Sequence, residues 1–391
     1  MDNHNSPRPA VFLDRDGVIT REVGYVTHID QLTLLPNVVK ALSLLEQNNY
    51  LRIVLTNQSA VARGMMTEET LNDLHRYLLS TLLPREDLIT DIYYCPHFPP
   101  REGPESPPYL ISCSCRKPEP GLIITACDKY DIDLPYSYLI GDRASDIELG
   151  YRAGLTTMLA RSGYSMQEYD WYSGIRPDFI FDDLGQAVDF IIHSPSKYEY
   201  IEQKVFSGFN KFPEQRMIVV VGGQSRSGKS TLVNYLLRQA RLNAIPAMTV
   251  KLDNWIVPAA ERTPEMNVLD RYCMPQLEAD IAVLLNGGNV VVSSYETMSR
   301  GNRRIPLDLR IPSTGIVLIE GVPALASEYL RSLSNINVYV NTDIHIHKDR
   351  FFKFYSGKGL SFEEVEALYQ QRMIDEFPII DDTRQYGDIL L

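Results

Sequence analysis

Val11-Phe12-Leu13-Asp14-Arg15-Asp16-Gly17-Val18-Ile19 opens the ordered chemistry of this chain. An apolar run suited to a buried strand leads into two aspartates one residue apart, then a glycine that permits a tight turn. Asp14 falls at the carboxyl end of that strand, where open α/β sheets place their ligands. Two carboxylates beside a phosphate repel each other and the phosphate. A divalent cation resolves that conflict and leaves one carboxylate free to attack phosphorus. Asp14 is therefore the candidate nucleophile. Asp16 can protonate the leaving oxygen and later deprotonate water. The competing reading is a loop of solvated acids, and the rest of the chain decides between the two.

Three further segments continue the pattern. Ile53-Val54-Leu55 leads into Thr56-Asn57-Gln58-Ser59, a strand followed by small hydrogen-bonding residues suited to phosphate oxygens. Arg116-Lys117-Pro118 supplies cations. Tyr138-Leu139-Ile140-Gly141-Asp142-Arg143-Ala144-Ser145-Asp146 is another strand ending in acids, suited to Mg²⁺. Four such elements in this order argue against chance.

Cys95-Pro96-His97 and Cys113-Ser114-Cys115 give three thiolates and one imidazole, the donor set of a closed structural zinc site. The loop between them, Phe98 to Ser112, holds five prolines and one glycine and cannot build its own core. A metal is the natural organiser. It would also fix Arg116 and Lys117, which directly follow the last cysteine. Cys127 and Cys273 read as small packing residues.

The Asp14-to-Asp146 order resembles the haloacid dehalogenase superfamily. With the zinc loop, Gly24-Tyr25-Val26 and Ala62-Arg63-Gly64, residues 9–192 are similar to the D-glycero-D-manno-heptose 1,7-bisphosphate 7-phosphatases. That resemblance implies a Rossmann-like α/β domain hydrolysing a sugar bisphosphate through an aspartyl-phosphate. It implies Mg²⁺ held by Asp14, by the backbone carbonyl of Asp16 and by Asp142, with Asp146 farther out. It implies phosphate binding by Thr56 and Lys117, and substrate contacts from Asn57 and Arg116. Gln58, Ser59 and Arg143 join the candidate substrate-binding set, Arg143 standing where the family pattern has lysine.

A second signal begins at Met217–Val221, an apolar strand. It runs into Gly223-Gln224-Ser225-Arg226-Ser227-Gly228-Lys229-Ser230-Thr231 and then a helical pattern, the Gly-x-x-x-x-Gly-Lys-Ser phosphate loop in its required setting. Backbone N–H groups and the helix N-terminus can cradle the phosphates of ATP. Lys229 can bridge the β- and γ-phosphates, and Ser230 can bind Mg²⁺. Glu320, ending the strand-like Gly315–Ile319, supports that Mg²⁺ or its water. Lys348 to Lys353, with Lys358, could form a basic lid. Residues 216–391 resemble the uridine kinase-like family. This implies ATP as donor, Asp253 as the acceptor-activating base, Asp270 and Arg271 in the acceptor segment, and Arg350 and Lys353 in the lid. The alternating His345 and His347 lack a third metal donor and read as packed or solvated. Tyr164, Tyr169 and Trp171 read as core or cap aromatics.

Length fits two domains: 391 residues against roughly 100–200 per domain. Strand-like runs at Ala10–Leu13, Arg52–Leu55, Tyr138–Ile140, Met217–Val221, Val290–Ser293 and Gly315–Ile319 alternate with helical stretches, as in parallel α/β sheets. The expected division is a phosphatase domain over 1–193, a linker over 194–215 beginning at Ser194-Pro195-Ser196, and a kinase domain over 216–391. A net charge of −12 disfavours extended nucleic-acid binding. No run approaches the ~18 apolar residues of a membrane span, and Met1 to Pro9 has no apolar signal core, which points to the cytoplasm. Five cysteines, three of them clustered, are no secreted disulfide framework. The leading expectation is a bifunctional phosphatase and ATP-dependent kinase acting on small molecules in carbohydrate metabolism. A polynucleotide 5′-kinase/3′-phosphatase is the alternative, since it joins the same two superfamilies.

Overall fold

The computed structural model describes residues 7–100, 108–164, 176–258, 261–263, 265–295, 304–357 and 359–391. Tyr169, Trp171, Lys358 and part of the proline-rich loop lie outside the described residues. The chain forms two compact units, Met1–Lys197 and Tyr198–Leu391.

In the first unit, strands β1 (Ala10–Leu13), β2 (Leu51–Asn57), β3 (Asp91–Cys95), β4 (Tyr138–Gly141), β5 (Thr156–Ala160) and β6 (Phe179–Phe181) form one sheet. Helices α1 (Val38–Gln47), α2 (Glu68–Tyr77), α3 (Gly121–Lys129) and α4 (Ala144–Arg152) lie between successive strands in the chain. The order is β3-β2-β1-β4-β5-β6, and every neighbouring pair is parallel. β1, β4 and β5 are buried throughout, as expected for strands covered on both faces. The chain builds β1, β2 and β3 to one side, then crosses to β4 on the other side of β1. That reversal opens a crevice at the carboxyl ends of β1 and β4, where Asp14 and Asp142 stand. Phe12, Ile53, Leu55, Leu122 and Leu139 form the core beneath it.

In the second unit, β7 (Arg216–Gly222), β8 (Ala247–Lys251), β11 (Gly315–Glu320), β12 (Ile336–Tyr339) and β13 (Ile389–Leu390) form a parallel sheet in the order β13-β12-β7-β11-β8. Between β8 and β11 the chain forms α7 (Met274–Leu285), β9 (Val290–Tyr295) and β10 (Arg304–Leu309). The phosphate loop joins β7, in the middle of the sheet, to α6 (Lys229–Leu242). Short α8 (Glu328–Leu333) precedes β12. Helices α9 (Ile344–Gly357), α10 (Phe362–Asp375) and α11 (Phe377–Asp382) pack through Phe351, Val365, Tyr369 and Phe377.

Two expectations need correction. Val290–Ser293 is a strand, yet it pairs antiparallel with β10 rather than joining the parallel sheet. Val290 and Val292 are buried while Val291 is 69% exposed. That is the alternation of a half-covered strand, hidden in sequence because all three residues are valine. The connector read as starting at Ser194 is instead helical: α5 runs from Leu184 to Lys211 with Pro195 inside it, and the compact units divide at Lys197. Buried Tyr198, Ile201, Val205 and Phe209 recur at helical spacing, a period outweighed in the sequence by the Ser-Pro-Ser signal.

Gly315 enters β11 at φ +109°, and a Cβ there would stand 2.1 Å from the Pro246 carbonyl oxygen. Gly315→Ala should therefore cost about 1–3 kcal/mol of stability. Denaturant unfolding of the two chains tests this, and an unchanged midpoint would contradict the strain argument.

Candidate functional site

The first site is built from strand ends. β1 delivers Asp14, and β4 delivers Asp142. The first turn of α4 returns Asp146, whose Oδ2 accepts the Arg143 N–H at 3.1 Å. Lys117 Nζ lies 2.9 Å from Asp14 Oδ1 and 2.6 Å from Asp146 Oδ1, and donates to the Leu55 carbonyl at 2.8 Å. Burial alone would discharge this lysine, but its two aspartates more than offset that and raise its pKa. Asp14 is pushed up to about 7 by burial; Lys117 opposes this, and Asp146 and Asp16 add to it. Asp142 is pushed up to about 8 by burial and by the charges of Asp14 and Asp146.

One carboxylate oxygen from each of Asp14, Asp142 and Asp146 falls within a 4.8 Å group, and Asp142 Oδ1 has no hydrogen-bond partner among the described residues. This all-oxygen donor set fits a hard divalent cation. Asp146, expected farther out, belongs to the same group. Gly17, at φ +85°, turns the chain beside Asp142, where a Cβ would meet Oδ2 at 2.3 Å.

Asp16 points into a different set of donors. Its oxygens accept from Arg15 Nε at 3.0 Å and Nη2 at 2.7 Å, from Thr20 at 2.9 Å and from Gln58 at 3.0 Å. Burial opposes the charge, yet Arg15 and these hydrogen bonds hold the carboxyl below its usual range. Arg15 is fully buried, and its Nη1 meets His75 Nε2 at 3.2 Å. The sequence reading missed both Arg15 and His75. The only trace of His75 is its place four residues after Leu71, on the buried face of α2.

The expected phosphate-binding residues divide. Thr56 and Ser59 line a cavity of about 940 Å³ that also reaches Asp14, Arg116 and Arg143. Gln58 bonds Asp16 and Thr56. Asn57 grips the Lys117 backbone, donating to its carbonyl at 3.1 Å and accepting its N–H at 3.0 Å. Arg116 donates to the His97 carbonyl at 3.1 Å and lies over the Phe98 ring. Arg63, also missed, lies over the same ring. Tyr164, read as a core or cap aromatic, lines the cavity: its N–H donates to Asp142 Oδ2 at 2.7 Å, and Arg143 lies 3.8 Å above its ring.

Cys95, His97, Cys113 and Cys115 converge. Their sulfurs stand 3.1–3.6 Å apart, and His97 Nδ1 lies 3.2 Å from Cys115 and 3.7 Å from Cys95. Tetrahedral zinc with sulfur at ~2.3 Å would separate sulfurs by ~3.8 Å, close to this cluster. The donor set and its compactness fit zinc.

In the second unit, Lys229 and Ser230 begin α6, with Thr231 in the same turn and Gly228 as N-cap. Lys229 Nζ donates to the carbonyls of Gly223 at 3.0 Å and Gln224 at 2.7 Å. Ser230 donates to Glu320 at 3.0 Å. Burial lowers the Lys229 pKa against the pull of Glu320, Asp253 and Glu376, and burial raises that of Glu320. The buried hydroxyls of Ser225 and Ser227 have no partner among the described residues, as fits a loop shaped for phosphate oxygens. Arg350 reaches the Ser227 carbonyl at 3.4 Å, and Arg226 lies over Phe354. Lys353 pairs with Asp349 one turn earlier. Asp253 accepts from the Tyr272 hydroxyl at 2.9 Å.

Asp270 accepts the Asn267 N–H at 3.0 Å and so shapes its own turn. Arg271 pairs with Asp375. A second set of residues missed in the sequence ties this segment to the loop. Arg372 Nη1 lies 3.8 Å from Asp375 and 3.4 Å from Glu376, and Glu376 accepts the Ser225 N–H at 2.9 Å. His347 is packed as expected, among Phe351, Tyr369 and Phe377. Its Nε2 meets the Ser225 carbonyl at 2.6 Å.

The family model Hydrolase_like (HAD-hyrolase-like) matches residues 114–187. A D-glycero-D-manno-heptose-1,7-bisphosphate 7-phosphatase of Thermosynechococcus vestitus is 35% identical over 188 residues, covering 47% of this chain and 96% of that protein. The D-glycero-beta-D-manno-heptose-1,7-bisphosphate 7-phosphatase of Escherichia coli K12 is 38% identical over 156 residues, covering 40% of this chain and 80% of its own length. Among solved structures, a D,D-heptose 1,7-bisphosphate phosphatase from B. bronchiseptica, complexed with magnesium and phosphate, is 27% identical with a TM-score of 0.42, covering 48% of this chain and 99% of that one. A possible uridine kinase from Bacillus stearothermophilus is 15% identical with a TM-score of 0.37, covering 51% and 100%.

Glu376→Ala should strip the Ser225 N–H of its acceptor and leave Arg372 less well paired, at a cost of about 1–3 kcal/mol. Glu376→Gln, which keeps an accepting oxygen, should cost less. Unfolding midpoints of the two variants check the order.

Proposed function

The N-terminal half of this chain belongs to the D-glycero-D-manno-heptose-1,7-bisphosphate 7-phosphatase family, and from that premise we propose a two-activity enzyme: a sugar-bisphosphate phosphatase joined to an ATP-dependent small-molecule kinase. The observation that carries the phosphatase reading is the Asp14–Lys117–Asp142 constellation at the carboxyl ends of β1 and β4.

Asp14 attacks phosphorus and forms an aspartyl-phosphate, while the alkoxide leaves with a proton from Asp16. Water then attacks the phosphorus, and Asp16 takes its proton. The donors now around Asp16 favour its ionised, proton-accepting form, suited to this second half. Lys117 holds Asp14 in place and offsets charge on the phosphoryl oxygens. Mg²⁺, held by Asp14, Asp142 and the Asp16 carbonyl, would neutralise the charge gathered there. Thr56, Asn57, Ser59, Arg116 and Arg143 would bind the rest of the substrate, while Gln58 keeps Asp16 aimed. Zinc at Cys95, His97, Cys113 and Cys115 would anchor the segment leading to Arg116 and Lys117.

In the second unit, the N–H groups of residues 223–230 would hold ATP phosphates, with Lys229 on the transferred group and Ser230 and Glu320 about Mg²⁺. Asp253 would orient the acceptor hydroxyl, and Arg350 would close on the phosphates. Asp270 and Arg271 would act by shaping the acceptor segment through Asn267 and Asp375.

Two assays test the proposal: phosphate release from sugar bisphosphates, and ATP consumption over nucleosides, sugars and polyols. Asp14→Asn should lower phosphate release by at least about a thousandfold and spare ATP consumption. Lys229→Ala should do the reverse. If both variants keep both activities, the assignment fails. If salt-sensitive oligonucleotide turnover appears instead, the chain repairs nucleic-acid ends.

Metal analysis of the purified chain should find about one zinc per chain, falling to near zero in Cys113→Ala. Zinc retained at full occupancy in that variant would place the metal elsewhere.

A further inference from the structure

We propose that His75 is a positioning residue of the phosphatase, acting through Arg15 to aim the carboxylate of Asp16. The inference rests on the phosphatase reading above and adds to it a residue that touches neither substrate nor metal. His75 is absent from the lining of the reaction cavity. It lines a separate hollow of about 370 Å³ with Asn72, Thr90 and Tyr94.

A guanidinium is a rigid plane of donors with no acceptor. Nε and Nη2 of Arg15 fork onto the two oxygens of Asp16, so the orientation of the plane sets the orientation of that carboxylate. Thr20 and Gln58 each reach a single oxygen. The remaining nitrogen, Nη1, meets His75 Nε2. Because arginine can only donate, Nε2 must carry the lone pair, and the imidazole proton sits on Nδ1. Burial and the adjacent guanidinium agree, both pressing the imidazole towards its neutral form. His75 itself is held by the packing of α2 around Leu71 and Leu74 and by Tyr94, whose ring centre lies 5.6 Å away. Without His75, Nη1 would be a buried donor lacking an acceptor. The guanidinium would turn to find one, and Asp16 would turn with it.

The test separates aim from fold. His75→Phe keeps the ring volume and the Tyr94 contact but removes the acceptor. His75→Gln restores an accepting oxygen. Both are assayed in the full chain on a sugar bisphosphate, whose alkoxide needs a proton to leave, and on p-nitrophenyl phosphate, whose phenolate does not. With Asp16 misaimed, kcat/KM, which reads the steps up to departure of the leaving group and not the later hydrolysis that also uses Asp16, should fall about tenfold or more on the sugar bisphosphate in the Phe variant and less than about threefold on the aryl ester. The Gln variant should recover most of the loss. A melting temperature near the parent's verifies the fold, and if Phe is not tolerated, His75→Leu takes its place. Equal losses of kcat/KM on both esters, or no loss on either, overturn the role of His75 while leaving the phosphatase intact. A parent chain inert towards both esters overturns the phosphatase reading and this inference with it.

Discussion

The ammonium of Lys117, 5% exposed and wedged between Asp14 and Asp146, is the interaction on which the first site depends. Asp14 and Asp142 follow the ends of parallel strands and Asp146 lies in the first turn of α4; all three are buried, where uncompensated charge is costly. Lys117 and Arg15 answer two of the four carboxylates in the group that includes Asp16. If all four are ionised, two negative charges remain, which one divalent cation would balance. Burial first, and then the neighbouring carboxylates, raise the pKa values of Asp14 and Asp142. Apart from Arg15, the residues around this centre serve largely to deliver Lys117: β3 ends at Cys95, the cysteine cluster closes, and Asn57 fixes the backbone where the lysine departs.

The second unit solves a similar problem without a cluster of acids. Lys229 is nearly buried and hydrogen-bonded to carbonyls of its own loop, with Glu320, Asp253 and Glu376 close enough to influence its charge. Around it, the C-terminal helices hold the loop through single side chains. His347 takes the carbonyl of Ser225, and Glu376 takes its N–H. The peptide units on either side of one loop residue are thus fixed from outside the strand–loop–helix motif. Glu376 continues through Arg372 and Asp375 to Arg271, which links the loop physically to the segment containing Asp270.

The sequence is legible where its information is local. Strand-then-acid at Leu13-Asp14 and Ile140-Gly141-Asp142 put the two acids just past the ends of β1 and β4, where the structure has them, because a strand and the residue that follows it are adjacent in the chain. The glycine-lysine loop was legible for the same reason. The spacing of Cys95, His97, Cys113 and Cys115 likewise pointed to a cluster that the fold brings together. Arg15–His75 and Ser225–Glu376 were not legible: each joins residues 60 or 151 apart, and neither residue type announces a partner. Val290-Val291-Val292 concealed its alternation because both faces carry the same residue. Ser194-Pro195-Ser196 supplied a strong local stop that the buried face of α5 overrides.

The side-chain amide of Asn57 both donates to and accepts from the backbone of Lys117, the exchange that one strand normally makes with another. One residue thus supplies the sheet with a single rung of further pairing. The loop that carries the Cys/His cluster is consequently pinned at both ends, by Cys95 where β3 stops and by this rung where Lys117 begins. Between those pins, Phe98, Pro99, Ile111 and Ser112 border the cavity whose floor holds the lysine. The rim of the cavity and the charge at its floor are therefore set by one continuous stretch of chain, held at two points.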